Sequence, residues 1–465
     1  MKKINIIINK LRNKVFILSN YSKHLFLHKY ILLLLALFFH FYSLYFRIKF
    51  NSSKSIIENN KNHNVFNHSI KIAYYCNAIK NGGVERAITL LINQLADIKF
   101  FKQYLITKSK KLDDEYTIPN NTIRFSLAEL NMNIFDILEK EQINILIYNL
   151  YKEEEMNKLT LYEGTKTIFF DHSSIFFWIY KRRYRFKNSF YAIYKRAKYV
   201  ISLIPFENDY LFKRWGINSI LMDNLNTYEY DSVFPSKLKE NNIIMVGRGD
   251  DEFKRFDLGI KAMVNIIKEI PDCIMNIISN PCSRLVKLIN HLRLNYNIKF
   301  IGFIKDPAIF YQNSSLHIIP SLAESYSMVL SEAKIYGIPT IICGLDYLVL
   351  AKGGTVILYD DKPDIIAKEA IKILKNDNYR RKLGKEARES MEKIKNKYIV
   401  KKWINLFLSI FKGEKYYDKK SEKISKDEIN IILNNQLNLM KRRIPIFRFK
   451  SLHKLKYILL NNFSL

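Results

Sequence analysis

Two glutamates, Glu324 and Glu332, stand eight positions apart in the run AESYSMVLSEA (Ala323–Ala333). The first follows an apolar strand-like run, LHIIPS, and the second falls inside the helical pattern SYSMVLSEAKIYG. On one regular helix, at about 3.6 residues per turn, residues eight apart do not share a face. With Glu324 in the loop and Glu332 about two turns into the helix, both can face one cleft. The free N–H groups of Ser325, Tyr326 and Ser327 at the helix start suit a phosphate. Carboxylates accept hydrogen bonds from the hydroxyls of a sugar or a ribose. One ligand carrying a sugar, a diphosphate and a ribose in a row satisfies the whole set. An acid favouring the helix dipole accounts for Glu324 equally well. It does not account for Glu332, which lies among the apolar Val329, Leu330 and Ala333.

Three further segments carry residues of the right type. Arg248 follows the run NNIIMVG, with Lys254 six residues later and Arg255 beside it. Charge-assisted bonds from Arg and Lys to phosphate are strong, so the pair suits a diphosphate; the alternative is basic surface. NGGVER (Asn81–Arg86) follows another strand-like run. Its paired glycines, Gly82 and Gly83, let backbone approach a ligand at a helix start, or they form an ordinary tight turn. DHSS (Asp171–Ser174) ends a third run. There His172 can donate a hydrogen bond to a sugar or act on a proton, or be a structural turn residue.

These segments need elements to hold them. Short apolar runs begin at Ile70, Gln103, Asn144, Lys166, Tyr199 and Ser219, and again at Asn241, Cys273, Ile298, Leu316 and Pro339. Helical periodicity fills many of the gaps, as where Ile88, Leu91, Ile92 and Leu95 share a face. Strands alternating with helices predict parallel sheets covered on both sides. Two sets, divided near 225–240, predict two Rossmann-like domains, whose ligands bind beyond the carboxyl ends of the strands. The expected organisation is an N-terminal membrane-associated segment and linker over 1–69 and an acceptor-side domain over 70–235. A donor-binding domain over 236–396, a helix over 397–412 that crosses back, and a basic extension over 413–465 follow. Helical patterns are expected near 363–376, 379–393 and 397–412. The extension reads as a solvated or peripheral helix.

The 465 residues are 48% hydrophobic and carry a formal net charge of +31. Enrichment in Ile, Asn, Lys, Tyr and Phe pervades every segment, which devalues any single lysine cluster. Such charge suits nucleic acid, an anionic membrane surface or phosphate-bearing substrates. No stretch interleaves aromatic and basic residues as nucleic-acid modules do, so no nucleic-acid partner is expected. Tyr30–Phe46 is 17 residues without a formal charge, flanked by Lys29, Arg47 and Lys49. That is the lower limit of length for a bilayer span, and it is read as a single-pass N-terminal anchor on an unassigned side of the membrane, the alternatives being an interfacial helix or a buried hydrophobic hairpin. The four cysteines form no CxxC pair, and Cys76, Cys273 and Cys343, which lie in strand-like apolar runs, are read as buried thiols.

Taken in order, NGGVER, DH (Asp171, His172), VGR with the later KRFDLGIKA (Val246–Ala262), and E-x7-E (Glu324, Glu332) followed by GIPTI (Gly337–Ile341) resemble the retaining glycosyltransferases of family 4, also called group 1. The resemblance spans about residues 70–412. It implies the GT-B fold: two Rossmann-like domains facing a cleft, here with an N-terminal hydrophobic helix. It further implies that a nucleotide sugar lies mostly against the second domain, its diphosphate held by Arg248 and Lys254. Glu324 would contact the sugar and Glu332 the ribose, and the Gly82–Gly83 loop would close over the phosphate or acceptor region. His172 would touch the sugar near the reacting carbon, which makes His172 and Glu324 the catalytic candidates. The family's transfer retains anomeric configuration, with the leaving phosphate helping to deprotonate the acceptor. No metal or other cofactor is implied. The chain departs from the family at SYS, where a glycine is common near Tyr326–Ser327, and at Arg255, where a glycine is usual. It also lacks the common glutamate in the stretch after Gly344.

The expected activity is thus a hexosyltransferase acting on a glycan or lipid-linked acceptor at a membrane. A nucleotide-sugar epimerase-like enzyme on the same fold is the first alternative, because fold alone does not set function. A non-catalytic basic membrane scaffold is the second, and it leaves the placement of Arg248, Lys254, Glu324 and Glu332 without a reason.

Overall fold

The computed structural model describes residues 69–80, 82–113, 115–181, 184–416 and 425–443. The apolar stretch Tyr30–Phe46, read above as an anchor, lies outside them. Among the described residues no helix is long and apolar enough to cross a membrane.

Seven strands form the first sheet: β1 (Ile70–Cys76), β2 (Phe101–Thr107), β3 (Ile123–Ser126), β4 (Ile145–Tyr148), β5 (Lys166–Asp171), β6 (Tyr199–Ser202) and β7 (Ile220–Leu221). Six form the second: β8 (Asn242–Val246), β9 (Ile274–Ile278), β10 (Ile298–Phe300), β11 (Leu316–Ile319), β12 (Thr340–Cys343) and β13 (Thr355–Leu358). Every pairing is parallel, and register in the first sheet runs Tyr74 opposite Leu105 on one side and Ile147 on the other. Strands such as ILIY and TIIC are buried throughout, as helix-covered parallel sheets require.

The spatial orders are 3-2-1-4-5-6-7 and 10-9-8-11-12-13. In the first sheet the order reverses between β1 and β4, and in the second between β8 and β11. A crevice opens at each such reversal, beyond the carboxyl ends of the two strands that flank it. The segment NGGVER follows β1, Arg248 follows β8 and Glu324 follows β11. Four of the candidate residues therefore leave the fold where a doubly wound sheet presents its ligands.

Helices follow the strands that position the site. Helix α1 (Gly83–Gln94) turns its buried Ala87, Ile88, Leu91 and Ile92 onto the first sheet. Helix α2 (Ile175–Tyr180) and helix α3 (Tyr184–Tyr194) follow β5. Helix α4 (Phe256–Glu269) follows β8, and its Gly259 lets Met245 pack at a distance no Cβ would allow. Helix α5 (Met328–Ile335) follows β11. Helix α6 (Asn396–Phe411) returns to the first domain, where Trp403 packs on Phe170 and Phe407 on Phe101, each with ring centroids 5.7 Å apart.

The chain passes between the domains twice, and the two passages are bonded to each other. The Asn226 N–H donates to Asn396 Oδ1 (2.7 Å), and Asn396 Nδ2 donates back to the Asn226 carbonyl (3.0 Å). Asn226 Nδ2 also reaches the Ile394 carbonyl at 2.7 Å.

The basic extension contains helix α7 (Lys426–Arg443). Part of it is packed rather than solvated. Leu433 and Leu439 are buried, Asn435 Nδ2 donates to Asp346 (2.8 Å), and Gln436 bonds the Gly344 carbonyl. The cysteines are free thiols, with Cys76, Cys273 and Cys343 buried.

Candidate active site

A cavity of about 380 Å³ lies between the two sheets' carboxyl edges. Gly82, Gly83, His172, Arg248, Lys254, Glu324, Ser325, Tyr326, Ser327 and Glu332 all line it. The residues singled out in the sequence therefore converge on one cleft, from the segments that follow four strands, β1, β5, β8 and β11.

On the first-domain side, Gly82 caps α1 in an extended conformation, and a side chain on Gly83 would meet nothing within 4 Å. The space beyond Gly83 is open cleft. Glu85 folds back over Gly82, and burial raises its carboxyl above the usual range. One turn into α1, Arg86 reaches across the cleft. Its Nη2 donates to the Lys305 carbonyl at 3.0 Å, its Nη1 stands 3.8 Å from Glu332 Oε1, and its guanidinium lies over the Tyr116 ring.

His172 is buried at the end of β5 and stacks on Phe170 with ring centroids 3.8 Å apart. Its Nε2 is 2.8 Å from Asn149 Oδ1. Burial holds the imidazole neutral, with its pKa pushed down to about 3 against a weak opposing pull from Asp171. Asp171 in turn anchors the loop. It accepts from Tyr151 OH (2.6 Å), from the Ser173 N–H (3.1 Å) and from the ammonium of fully buried Lys187.

On the second-domain side, Lys254 ends a 3₁₀ turn, Glu252–Lys254, and its Nζ pairs with Glu324 Oε1 at 2.7 Å. The Glu324 loop is braced by Tyr347, whose hydroxyl accepts from the Glu324 N–H (3.1 Å) and donates to its carbonyl (3.0 Å). Arg248 is extended and largely exposed, held by Asp251 at 3.0 Å. Glu332 is buried and well bonded: Thr227 Oγ1 donates to it at 2.6 Å and Tyr311 OH at 2.7 Å.

Three details differ from the sequence reading. Helix α5 begins at Met328, so Glu332 lies just past its first turn and not two turns in. Ser325 and Tyr326 belong to the preceding loop, so the helix's own first free N–H groups start only after Ser327. Ser327 breaks the helix because its backbone is left-handed (φ 64°, ψ 77°). The Tyr326 side chain is packed in the hydrophobic core, 2% exposed, with its hydroxyl unpartnered.

Both positions where a glycine is customary prove to be left-handed. Arg255 has φ 50° and ψ 37°, beside Ser327 among the few non-glycine residues at positive φ. Ion pairs from Arg255 to Asp257 and Asp361, each at 3.6 Å, accompany the strained backbone.

Sequence reasoning gave no role to Arg86, Asn149, Thr227 or Tyr311. Arg86 was within reach, since it ends the NGGVER motif one turn from the glycines. The other three lie in segments without a motif and meet the site only through the fold.

Residues 227–390 match the family model of glycosyl transferases group 1. The chain is 26% identical over 169 residues to the N-acetyl-alpha-D-glucosaminyl L-malate synthase of Bacillus anthracis, covering 35% of this chain and 44% of that protein. It is 24% identical over 282 residues to an uncharacterized glycosyltransferase of Haemophilus influenzae, covering 56% and 76%. Among solved structures, Anabaena HepE in complex with UDP and glucose superposes with a TM-score of 0.59 at 13% identity, over 73% of this chain and 100% of that one. The group 1 match falls on the second domain, and the two facing Rossmann-like domains are the GT-B fold.

Proposed function

We propose that this chain is a retaining glycosyltransferase of hexosyl type, moving a sugar from a nucleotide-sugar donor to a glycan or lipid-linked acceptor. The observation that carries the reading is the Lys254–Glu324 pair at the mouth of α5, with Arg248 and Ser327 around it. A diphosphate arriving there draws the Lys254 ammonium and the Arg248 guanidinium. Glu324 is then released to accept hydroxyls of the sugar. Glu332, fixed by Thr227 and Tyr311, retains lone pairs for the ribose.

In this reading the bond between the anomeric carbon and the diphosphate oxygen breaks as an acceptor hydroxyl bonds to the same face. The hydroxyl's proton passes to the leaving phosphate oxygen. Two cations and the start of α5 stabilise the negative charge on that leaving group, so the reaction is expected to run without a metal. The complex of HepE with UDP and glucose, and the glucosaminyl L-malate product in the name of the Bacillus relative, support a nucleotide-sugar donor. The apolar stretch Tyr30–Phe46 and the charge of +31 support an anchored enzyme working at an anionic membrane, where a lipid-linked acceptor is at hand.

The test is nucleotide release. The purified chain is screened against uridine-, guanosine- and adenosine-diphosphate sugars with and without membrane extracts as acceptor. One donor is expected to be turned over, with Glu324→Ala and Arg248→Ala each losing at least about a hundredfold in kcat/KM, or ~3 kcal/mol. No release with any donor, and unchanged nucleotide binding in both variants, would rule the proposal out.

A further inference from the structure

The tautomer of His172 follows from its neighbour. Asn149 comes directly after β4, and its Nδ2 donates to two backbone carbonyls, those of Tyr75 (3.2 Å) and Ile147 (3.1 Å). A carbonyl only accepts, so both amide hydrogens are committed on that side. Turning the amide over would set Oδ1 against two carbonyl oxygens. The amide orientation is therefore fixed by the network around it. Oδ1 faces His172 Nε2 at 2.8 Å. An amide oxygen also only accepts, so Nε2 must bear the hydrogen. The imidazole is buried and neutral, which leaves Nδ1 with its lone pair.

The ring has little freedom to change this. Phe170 covers one face at 3.8 Å. The His172 N–H donates to Tyr151 OH at 3.0 Å, and that hydroxyl donates to Asp171. Asp171 is held by the buried Lys187 ammonium, which also reaches Ser173 Oγ at 2.9 Å. Backbone and ring are thus anchored by separate sets of bonds, and the ring nitrogen not bound to Asn149 is the one available to a ligand in the cleft.

We propose that Asn149 is a positioning residue that locks His172 as the Nε2–H tautomer, so that His172 meets its ligand as a hydrogen-bond acceptor at Nδ1, taking the O–H of a sugar. The assignment rests on the transferase reading only for the identity of that hydroxyl. It reverses the ordinary expectation of a histidine donor. A group that itself only accepts, such as a carboxylate or a fluorine at the same sugar position, is refused there.

The experiment uses the full chain labelled with ¹⁵N-histidine, at neutral pH and without nucleotide, the His172 signals being identified by their loss in His172→Gln. Expected are a pyrrole-type Nε2 and a pyridine-type Nδ1 in the parent. Asn149→Leu should average the two nitrogens toward a mixture. Asn149→Ala, which deletes the acceptor with less change of bulk, should do the same, and the parent spectrum alone decides the matter should neither variant fold. A protonated Nδ1 in the parent, or an unchanged tautomer in Asn149→Leu, overturns the proposal. In the transferase assay Asn149→Leu should lose about tenfold in kcat/KM, and the nucleotide sugar that turns over should shift Nδ1 and not Nε2. A chain that transfers no sugar at all would sink the functional reading while leaving the tautomer measurement standing, so the two failures are distinguishable.

Discussion

Ser327 holds two unfavourable features at one position, and a pair of substitutions separates them. Its backbone is left-handed and its buried hydroxyl has no hydrogen-bond partner. For an L-residue the left-handed conformation costs ~1–2 kcal/mol. Glycine removes that cost but adds ~0.5–1 kcal/mol of freedom in the unfolded chain. Ser327→Ala keeps the strained backbone and deletes the hydroxyl, whereas Ser327→Gly deletes both. The glycine variant should therefore be more stable than the alanine variant by roughly 0.5–1 kcal/mol. In urea, with an m-value of about 3 kcal/mol/M, its midpoint lies ~0.2–0.3 M higher. The nucleotide provides an independent readout. If Oγ meets the donor's phosphate, both variants lose the same charge-assisted bond, worth ~1.5–3 kcal/mol, and bind it equally weakly. A glycine variant less stable than the alanine variant would refute the backbone argument. Parent-like nucleotide affinity in both would refute the role of the hydroxyl.

Two further predictions concern places away from the cleft. His317 is fully buried, its Nε2 is unpartnered, and burial pushes its pKa down to about 3. The unfolded chain binds the proton first, so stability holds above about pH 6.5 and declines as pH falls toward 3, by ~1.4 kcal/mol per pH unit. His317→Leu should flatten the stability–pH profile by that slope in urea titrations between pH 6.5 and 4; parallel profiles would contradict it. At Gly344 (φ +63°) a Cβ would stand 1.9 Å from Leu439 Cδ1. Gly344→Ala should release α7, and limited trypsin digestion should cut within Lys426–Arg443 at least about tenfold faster, the equivalent of ~1.4 kcal/mol of lost docking. An unchanged cleavage rate would show that α7 is not held there.

What the sequence disclosed followed from where the physics is local. Central strands such as β1, β4 and β11 are buried on both faces, so apolar runs marked them. Of the edge strands, β3 is the mixed, partly buried IRFS and gave little signal, whereas β13, the short apolar TVIL, was passed over. The E-x7-E spacing placed both carboxylates at the cleft, yet the start of α5 was misjudged by three residues. Backbone handedness at Ser327 is invisible in residue type, although the missing glycine at that position and at Arg255 was the clue. Thr227 and Tyr311 were unreadable because their importance comes from Glu332, brought to them by tertiary folding from 105 and 21 positions away. The packed face of α7 was hidden because its partners, Gly344 and Asp346, lie on another element.

The mutual bonds between Asn226 and Asn396 make one doubled strut of the two passages between the domains, not a pair of independent straps. Phe176 on Tyr347 and Phe177 on Phe253, with ring centroids 4.6 and 5.1 Å apart, add a second seam between the same domains. The cleft is therefore braced from two places in the fold, and Thr227, which grips Glu332, stands one residue from the strut.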